Sequence, residues 1–381
     1  MSAPARPPVH YLSHAVVSGY GMAARRLVRA LAAAGGELRW TPMPDAGLIP
    51  TTTPRGFGPE LDRLCANVVE HKVTCFHDLP ENLPLMERDG SPWITHTVWE
   101  SDTIPSHWPP LLNGTDAVIV PCSWNAEVFA AGGVKVPIGV VPHVAELPGT
   151  APILDIASEL GLGVDTFVVS TIGEWNGRKD PGLAVRAYLE AFTVGDPVVL
   201  VVKTGARTWL GDLDTPGPRA GWTDWELAHI VRKFPTPARI ILANDFWSDE
   251  AIRGLHQRAD CYITLAHAEG WGLGAFDAAT HGVPVITPGY GGILDYLQPE
   301  AAYFVDHTLV TPRFTGAQSY ESHHRWAKPD VAHGSALLRH VFEHRDEARE
   351  RGRLAASRIA RDFAPPVVAE QFFRFAASVL A

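Results

Sequence analysis

The chain has little cysteine, no long apolar run and no excess of basic charge. Its 381 residues include four cysteines, Cys65, Cys75, Cys122 and Cys261, scattered in or near apolar runs without a C-x-x-C or cysteine–histidine spacing. Neither a disulfide frame nor a zinc site is indicated, which suits a reducing cytosol, and a cytoplasmic protein is expected. No apolar run reaches the ~20 residues that span a bilayer, so no transmembrane segment is expected. The opening MSAPARPPVHYL has no apolar core of signal-peptide length. Asp and Glu number 42 against 32 Lys and Arg, a net charge of −10. A nucleic-acid partner is therefore not expected, although a local basic pocket for a phosphorylated small molecule stays open.

What is present is an ordinary globular composition, 46% hydrophobic and 19% charged, in a chain long enough for two domains. The 34 glycines and 32 prolines point to many tight connections. Of twelve tryptophans, Trp99, Trp175, Trp222, Trp225, Trp247 and Trp271 have polar neighbours. There an indole serves either as a stacking surface for a sugar or as ordinary packing.

Short β-branched runs recur at 73–76, 93–98, 117–121, 138–142, 167–172, 198–203, 238–243, 261–266, 283–287 and 302–305. Helical patterns at 21–34, 124–131, 181–192, 249–258 and 273–281 separate many of them. Strands alternating with helices imply parallel sheets with right-handed crossovers, and there are enough runs for two sheets. ELPGTAPILDI, with Pro148, Gly149 and Pro152 close together, reads as a linker. The expected division is 1–147, 148–363 and a final amphipathic helix over 364–381. The segment 205–237 reads as an insertion with one helix over 225–233. Its Asp212-Leu213-Asp214 has the D-x-D form of a metal site but reads as loop acidity.

Open α/β sheets bind ligands at the carboxyl ends of their strands, and four stretches fall there. Ser18-Gly19-Tyr20-Gly21 precedes a helix and lets backbone approach an anion, or is a plain capped turn. WITHTVWESD places His96, Glu100 and Asp102 at a strand end. GEWNGRKD puts Arg178 and Lys179 just before a helix that starts at Pro181. Cations there oppose the helix dipole, and an incoming diphosphate would satisfy both. In HAEGWGLGAFDAATHGVPVIT, Glu269 precedes a turn built on Gly270, Trp271 and Gly272, with Asp277 eight residues after Glu269. Amides at Gly272 and Leu273 can meet phosphate oxygens. The two carboxylates can accept hydrogen bonds from vicinal hydroxyls of a sugar and a ribose. The bland readings are a surface helix residue for Asp277 and a helix-dipole carboxylate for Glu269. Gly289-Tyr290-Gly291-Gly292 reads as a further flexible strand-end loop.

Together, EGWGLGAFDAATHGVPVITPGYGG, VPCSWNAEVFAAGGVKVPIGVVPHVAE and GEWNGRKDPGLAVRAYLEAF resemble the retaining glycosyltransferases of family 4, of the E-x7-E type, with Asp277 in place of the second Glu. The resemblance implies the GT-B fold, two Rossmann-like domains with parallel sheets facing a central cleft, the final helix crossing back onto the first domain. It implies retaining transfer from a nucleotide diphosphate sugar to a carbohydrate or other hydroxyl acceptor, without metal or other cofactor. Glu269 would face the sugar hydroxyls and Asp277 the ribose. Gly272 and Leu273 would serve the diphosphate with Lys179 and Arg178, and Gly19 and Gly21 would form the glycine loop. His96 would match the cleft histidine near the donor sugar, and Tyr20, Glu100 and Asp102 stand as acceptor-side candidates. Glu174 departs from the family, whose usual residue there is arginine. The rival readings are a GT-B epimerase or phosphorylase, and a catalytically silent sugar-nucleotide-binding protein.

Overall fold

The computed structural model describes residues 6–15, 18–43, 57–149, 151–207, 221–312 and 320–381. Asp212-Leu213-Asp214 lies outside them. The chain divides into two compact units. The first comprises 1–99, 103–146 and 360–381, and the second comprises 100–102 and 147–359.

The first unit alternates β1 (Val9–His14), α1 (Gly19–Ala33), β2 (Leu38–Met43), α2 (Pro59–Ala66), β3 (Val73–His77), β4 (Trp93–His96), α3 (Trp108–Leu112), β5 (Ala117–Val120), α4 (Ser123–Ala131) and β6 (Ile138–Val140). All six strands are parallel, in the order β2-β1-β3-β4-β5-β6. The central strands are buried on both faces, which is why they read as near-continuous apolar runs. Val9, Tyr11, Val73, Cys75 and Ile94 meet Ala24, Leu27 and Leu31 of α1 in one core.

The second unit runs α5 (Ile156–Glu159), β7 (Phe167–Ile172), α6 (Pro181–Ala191), β8 (Val198–Lys203), α7 (Thr223–Val231), β9 (Arg239–Ala243), α8 (Asp249–Arg258), β10 (Cys261–Ile263), α9 (Leu273–Thr280), β11 (Val285–Pro288) and β12 (Tyr303–Val305). Its six strands are also parallel, in the order β12-β11-β10-β7-β8-β9. An antiparallel hairpin, β13 (His307–Val310) with β14 (Trp326–Pro329), follows. Then come α10 (Val331–Glu343), α11 (Arg345–Asp362) and α12 (Pro365–Val379). The apolar face of α12 belongs to the core of the first unit, where Val368, Phe372 and Phe373 are buried.

The four cysteines are free and buried. No helix among the described residues is long and apolar enough to cross a membrane.

Candidate functional site

In the second sheet the strand order reverses between β7 and β10. Loops leaving two such strands diverge to opposite faces and open a crevice at the carboxyl edge. The loop after β7 carries Arg178 and Lys179, and the loop after β10 carries Glu269. Asn176 shapes the first loop: its Oδ1 accepts the backbone N–H groups of Arg178 at 3.2 Å and Lys179 at 2.8 Å. Asp180 ends it with φ 30°, the one positive-φ non-glycine residue among those described. Such a conformation is costly and needs the surrounding structure to hold it. Pro181 then opens α6 with its φ already set.

The two loops are tied together through backbone. His267 N–H donates to the Arg178 carbonyl at 2.8 Å, and Gly292 N–H donates to the Glu269 carbonyl at 3.0 Å. Gly291, with φ 76°, lies so close that a Cβ would come within 2.5 Å of that same oxygen. The glycine-rich loop after β11 therefore grips Glu269, where the sequence had suggested a flexible segment.

Within this frame the charges converge. Lys179 Nζ meets Glu269 Oε1 at 3.1 Å, and Arg178 Nη1 meets Oε2 at 3.2 Å. The same Nη1 donates to the Ala268 carbonyl at 2.7 Å, and Nη2 meets Glu100 Oε1 at 3.3 Å. The Tyr320 hydroxyl donates to the other Glu100 oxygen at 3.3 Å. Burial alone would push the Glu269 carboxyl up, but Lys179 and Arg178 outweigh it and hold it below the ordinary range. Burial works against the Arg178 charge, and Glu100 and Glu269 more than restore it. Burial, and then Glu100, push the Tyr320 phenol well up, so it stays a donor.

In the sequence Arg178 and Lys179 stand together without a neighbouring carboxylate that both could meet. The fold instead supplies carboxylates from segments far away in the chain, and the four charged groups balance. Glu174 is exposed and accepts a bond from Asn176 Nδ2 at 3.2 Å. Gly272 takes the left-handed conformation, φ 82°, as the N-cap of α9, and no side chain caps that helix. The Tyr296 hydroxyl fixes the Gly272 carbonyl at 3.1 Å.

Other expected site residues of the second unit are buried or held by backbone. Trp271 is 2% exposed and packs on Phe276 and Tyr296, with ring centroids 5.1 and 5.0 Å away. Trp99 and Trp175 are buried as well, whereas Trp222 is exposed. Asp277 is buried, not a surface helix residue. Asp102 grips the chain before β14: its Oδ1 accepts the Arg325 N–H at 2.7 Å, and its own N–H donates to the Arg325 carbonyl at 3.3 Å.

The first sheet reverses between β1 and β3. Ser18 caps α1 by accepting the Gly21 N–H at 3.2 Å; Gly19 is exposed and Gly21 buried. The Tyr20 hydroxyl lies 3.2 Å from Thr97 Oγ1 and 3.3 Å from the Val98 carbonyl. At the ends of β1, β3 and β4 stand His14, His77 and His96. His14 Nε2 lies 2.6 Å from Oδ1 of fully buried Asp78, whose oxygens also accept Leu79 N–H at 2.6 Å and Asn82 Nδ2 at 2.9 Å. The Tyr11 hydroxyl lies 2.8 Å from His77 Nδ1 and 3.1 Å from His96 Nδ1. One hydroxyl carries one proton, so one of those nitrogens must bear the hydrogen and the other must not. The two imidazoles stack 3.8 Å apart at 8°. Burial first, then His96 for one ring and His143 for the other, drives both well below the usual histidine range. His96 is 1% exposed, and its Nε2 has no hydrogen-bond partner among the described residues.

Sequence reasoning singled out His96 and Glu100 but missed Asn176, Tyr320, His77 and the His14–Asp78 pair. A histidine at the end of each of three strands was available as a signal. Nothing in sequence links Tyr320 to Glu100, 220 positions away.

Comparison with known proteins gives these arrangements a setting. The profile described as "Family 4 Glycosyltransferase in conflict systems" matches residues 178–372. Among solved structures, sucrose-phosphate synthase from Thermosynechococcus elongatus superimposes with a TM-score of 0.70 at 15% identity, covering 98% of this chain and 99% of that one. Anabaena HepE, solved with UDP and glucose, gives 0.67 at 14% identity, covering 98% and 100%. Staphylococcus aureus TarM gives 0.55 at 11%, covering 79% of this chain and 54% of that one. No curated protein sequence matches significantly. These identities carry the GT-B fold alone, whereas the profile spans just over half of the chain, and on that ground the chain belongs to the family 4 glycosyltransferases of conflict systems.

Proposed function

We propose that this glycosyltransferase moves a sugar from a nucleotide diphosphate sugar to a hydroxyl-bearing acceptor with retention at the anomeric carbon, and that it needs no metal ion. The observation that carries this reading is Arg178 and Lys179 meeting Glu269 where the second sheet reverses. HepE was solved with a nucleotide of the kind proposed.

Donor binding would exchange partners in this cluster. Diphosphate oxygens take bonds from Arg178, Lys179 and the uncapped start of α9. Glu269, released from the cations, turns its oxygens to the sugar hydroxyls, and Asp277 serves the ribose. Glu100 continues to orient Arg178. In the transfer step the bond between the anomeric carbon and the diphosphate oxygen breaks. The acceptor oxygen bonds to that carbon on the same face, and its proton passes to the departing phosphate oxygen. Negative charge grows on the diphosphate, where preorganised cations and amides stabilise it most. His96 of the first unit, uncharged at neutral pH, would offer its Nε2 to a sugar hydroxyl, and Tyr20 stands as an acceptor-side candidate.

Because the two cations are already balanced by carboxylates, a binding-only protein is the second reading. Nucleotide diphosphate sugars would be screened for a rise in melting temperature, then for release of nucleoside diphosphate. Binding with release, and a product of unchanged anomeric configuration by NMR, is expected. Binding with no release from any donor, across a panel of acceptors, would leave only the binding role, and an inverted product would remove the retaining step.

A further inference from the structure

At the opposite, amino-terminal edge of the first sheet, three side chains from separate segments meet. His10 stands near the start of β1, His71 just before β3 and Asp89 in the loop before β4. One ligand-capable atom of each lies within 4.8 Å of the other two. His71 Nε2 and Asp89 Oδ2 are 2.6 Å apart, and the two imidazole centroids are 5.1 Å apart. Two of the three members are held from behind. Ser91 donates to Asp89 Oδ1 through its hydroxyl at 2.7 Å and its N–H at 3.0 Å, leaving Oδ2 to face His71. Thr41 Oγ1 fixes His10 Nε2 at 2.9 Å.

We propose that His10, His71 and Asp89 form a surface site for a divalent transition-metal ion, zinc above all, that ties the amino ends of β1, β3 and β4 together. Ligand atoms around tetrahedral zinc sit about 3.4 Å apart, given Zn–N and Zn–O bonds of about 2.1 Å. Reaching that spacing requires the His71–Asp89 contact to open slightly and the His10 ring to draw in. Imidazole and carboxylate are zinc ligands, and carboxylate oriented by a second shell is the usual support. His10 and His71 already face each other with their ring centroids 5.1 Å apart. Arg39 pairs with His10 across the β1–β2 ladder and opposes a cation, which limits affinity. The three positions are 61 and 18 residues apart in sequence, so no ligand motif announces them. The site is separate from the one proposed for glycosyl transfer and does not depend on that reading.

The test is calorimetric and thermal titration of the full chain with zinc chloride, using magnesium chloride as a hard-cation control. One saturable zinc site is expected, together with a melting temperature raised by zinc and restored by EDTA, and no response to magnesium. His71→Ala and Asp89→Asn, both at accessible positions, should each weaken zinc binding by at least about tenfold while melting near the parent in its absence. Absence of saturable zinc binding in the parent, or unchanged binding in both variants, would overturn the proposal.

Discussion

The two sheets reverse their strand order at different places, and the two carboxyl edges are built from opposite chemistry. In the second unit, four formal charges neutralise one another: Arg178 and Lys179 against Glu269 and Glu100. In the first, Asp78 pairs with His14 beside neutral imidazole and phenol, while Arg25 donates to the Ala15 carbonyl just after β1 and Arg26 meets Glu146. An entering anion can re-pair the cations only if Glu269 gains new donors, because a largely buried carboxylate stripped of its partners is costly. Neutral imidazoles cannot hold a diphosphate, but they can exchange hydrogen bonds with hydroxyls. The same topological rule thus places paired charges at one edge and a stack of neutral imidazoles at the other.

The comparison breaks most sharply at Arg178. Arg178→Ala should lower kcat/KM for donor turnover by about 10²–10³-fold, the usual loss when one group stabilising transition-state charge is removed. His77→Asn at the other edge should spare donor affinity; a comparable loss of donor affinity from it would erase the proposed division of labour. Next comes Glu269→Gln, which takes the carboxylate from half-buried Lys179 and leaves Arg178 with Glu100 alone, and should cost roughly 2 kcal/mol of stability by denaturant unfolding. Glu269 is held below its ordinary value of 4.5, so its contribution is present above that pH and is lost as pH falls through the depressed value. The variant should therefore show a flatter acid limb.

Gly291→Ala forces a Cβ against the Glu269 carbonyl and demands a left-handed alanine; a loss of about 2 kcal/mol is expected by thermal melting. A parental melting temperature would show that the loop yields freely. A smaller effect separates the edges by pH. His77 and His96 sit well below the usual 6.5. Below that value the unfolded chain binds protons that the folded pair refuses, so stability falls as pH drops from about 6.5. Hydrogen exchange should show the first unit loosening between pH 6.5 and 5 while the Glu269 cluster holds, and equal loosening of both would contradict this. Smallest is Tyr320→Phe, which removes one bond to Glu100 at a cost of about 1 kcal/mol.

The β/α alternation was plain in the sequence because each strand carries its own local signature. β7, β8 and α8 fall at the expected residues, and the other marked runs differ by a few at their ends. The missed elements had weak local signals. α11 is mostly charged and buries only Ala348, Gly352, Ala355 and Ile359, a stripe at helical spacing whose small residues give little hydrophobic signal. β2 contains Pro42, and β13 and β14 pair across a long connection. At the site, the glycine spacing and the cations Arg178 and Lys179 were visible because they sit in one loop each. Their pairing with Glu269 and Glu100 was not, since it depends on which loops the strand order makes neighbours.

By itself the sequence determined two parallel α/β sheets and the loops that end their strands, because periodicity and turn chemistry act over a few residues. The tertiary structure alone decided the rest. It placed β7 beside β10, so that Glu269 neutralises the cations of another loop. It buried Trp271 and Asp277, and it brought His10, His71 and Asp89 together at one edge. Those outcomes depend on through-space distance and on removal from water, and neither is a property of neighbours along the chain.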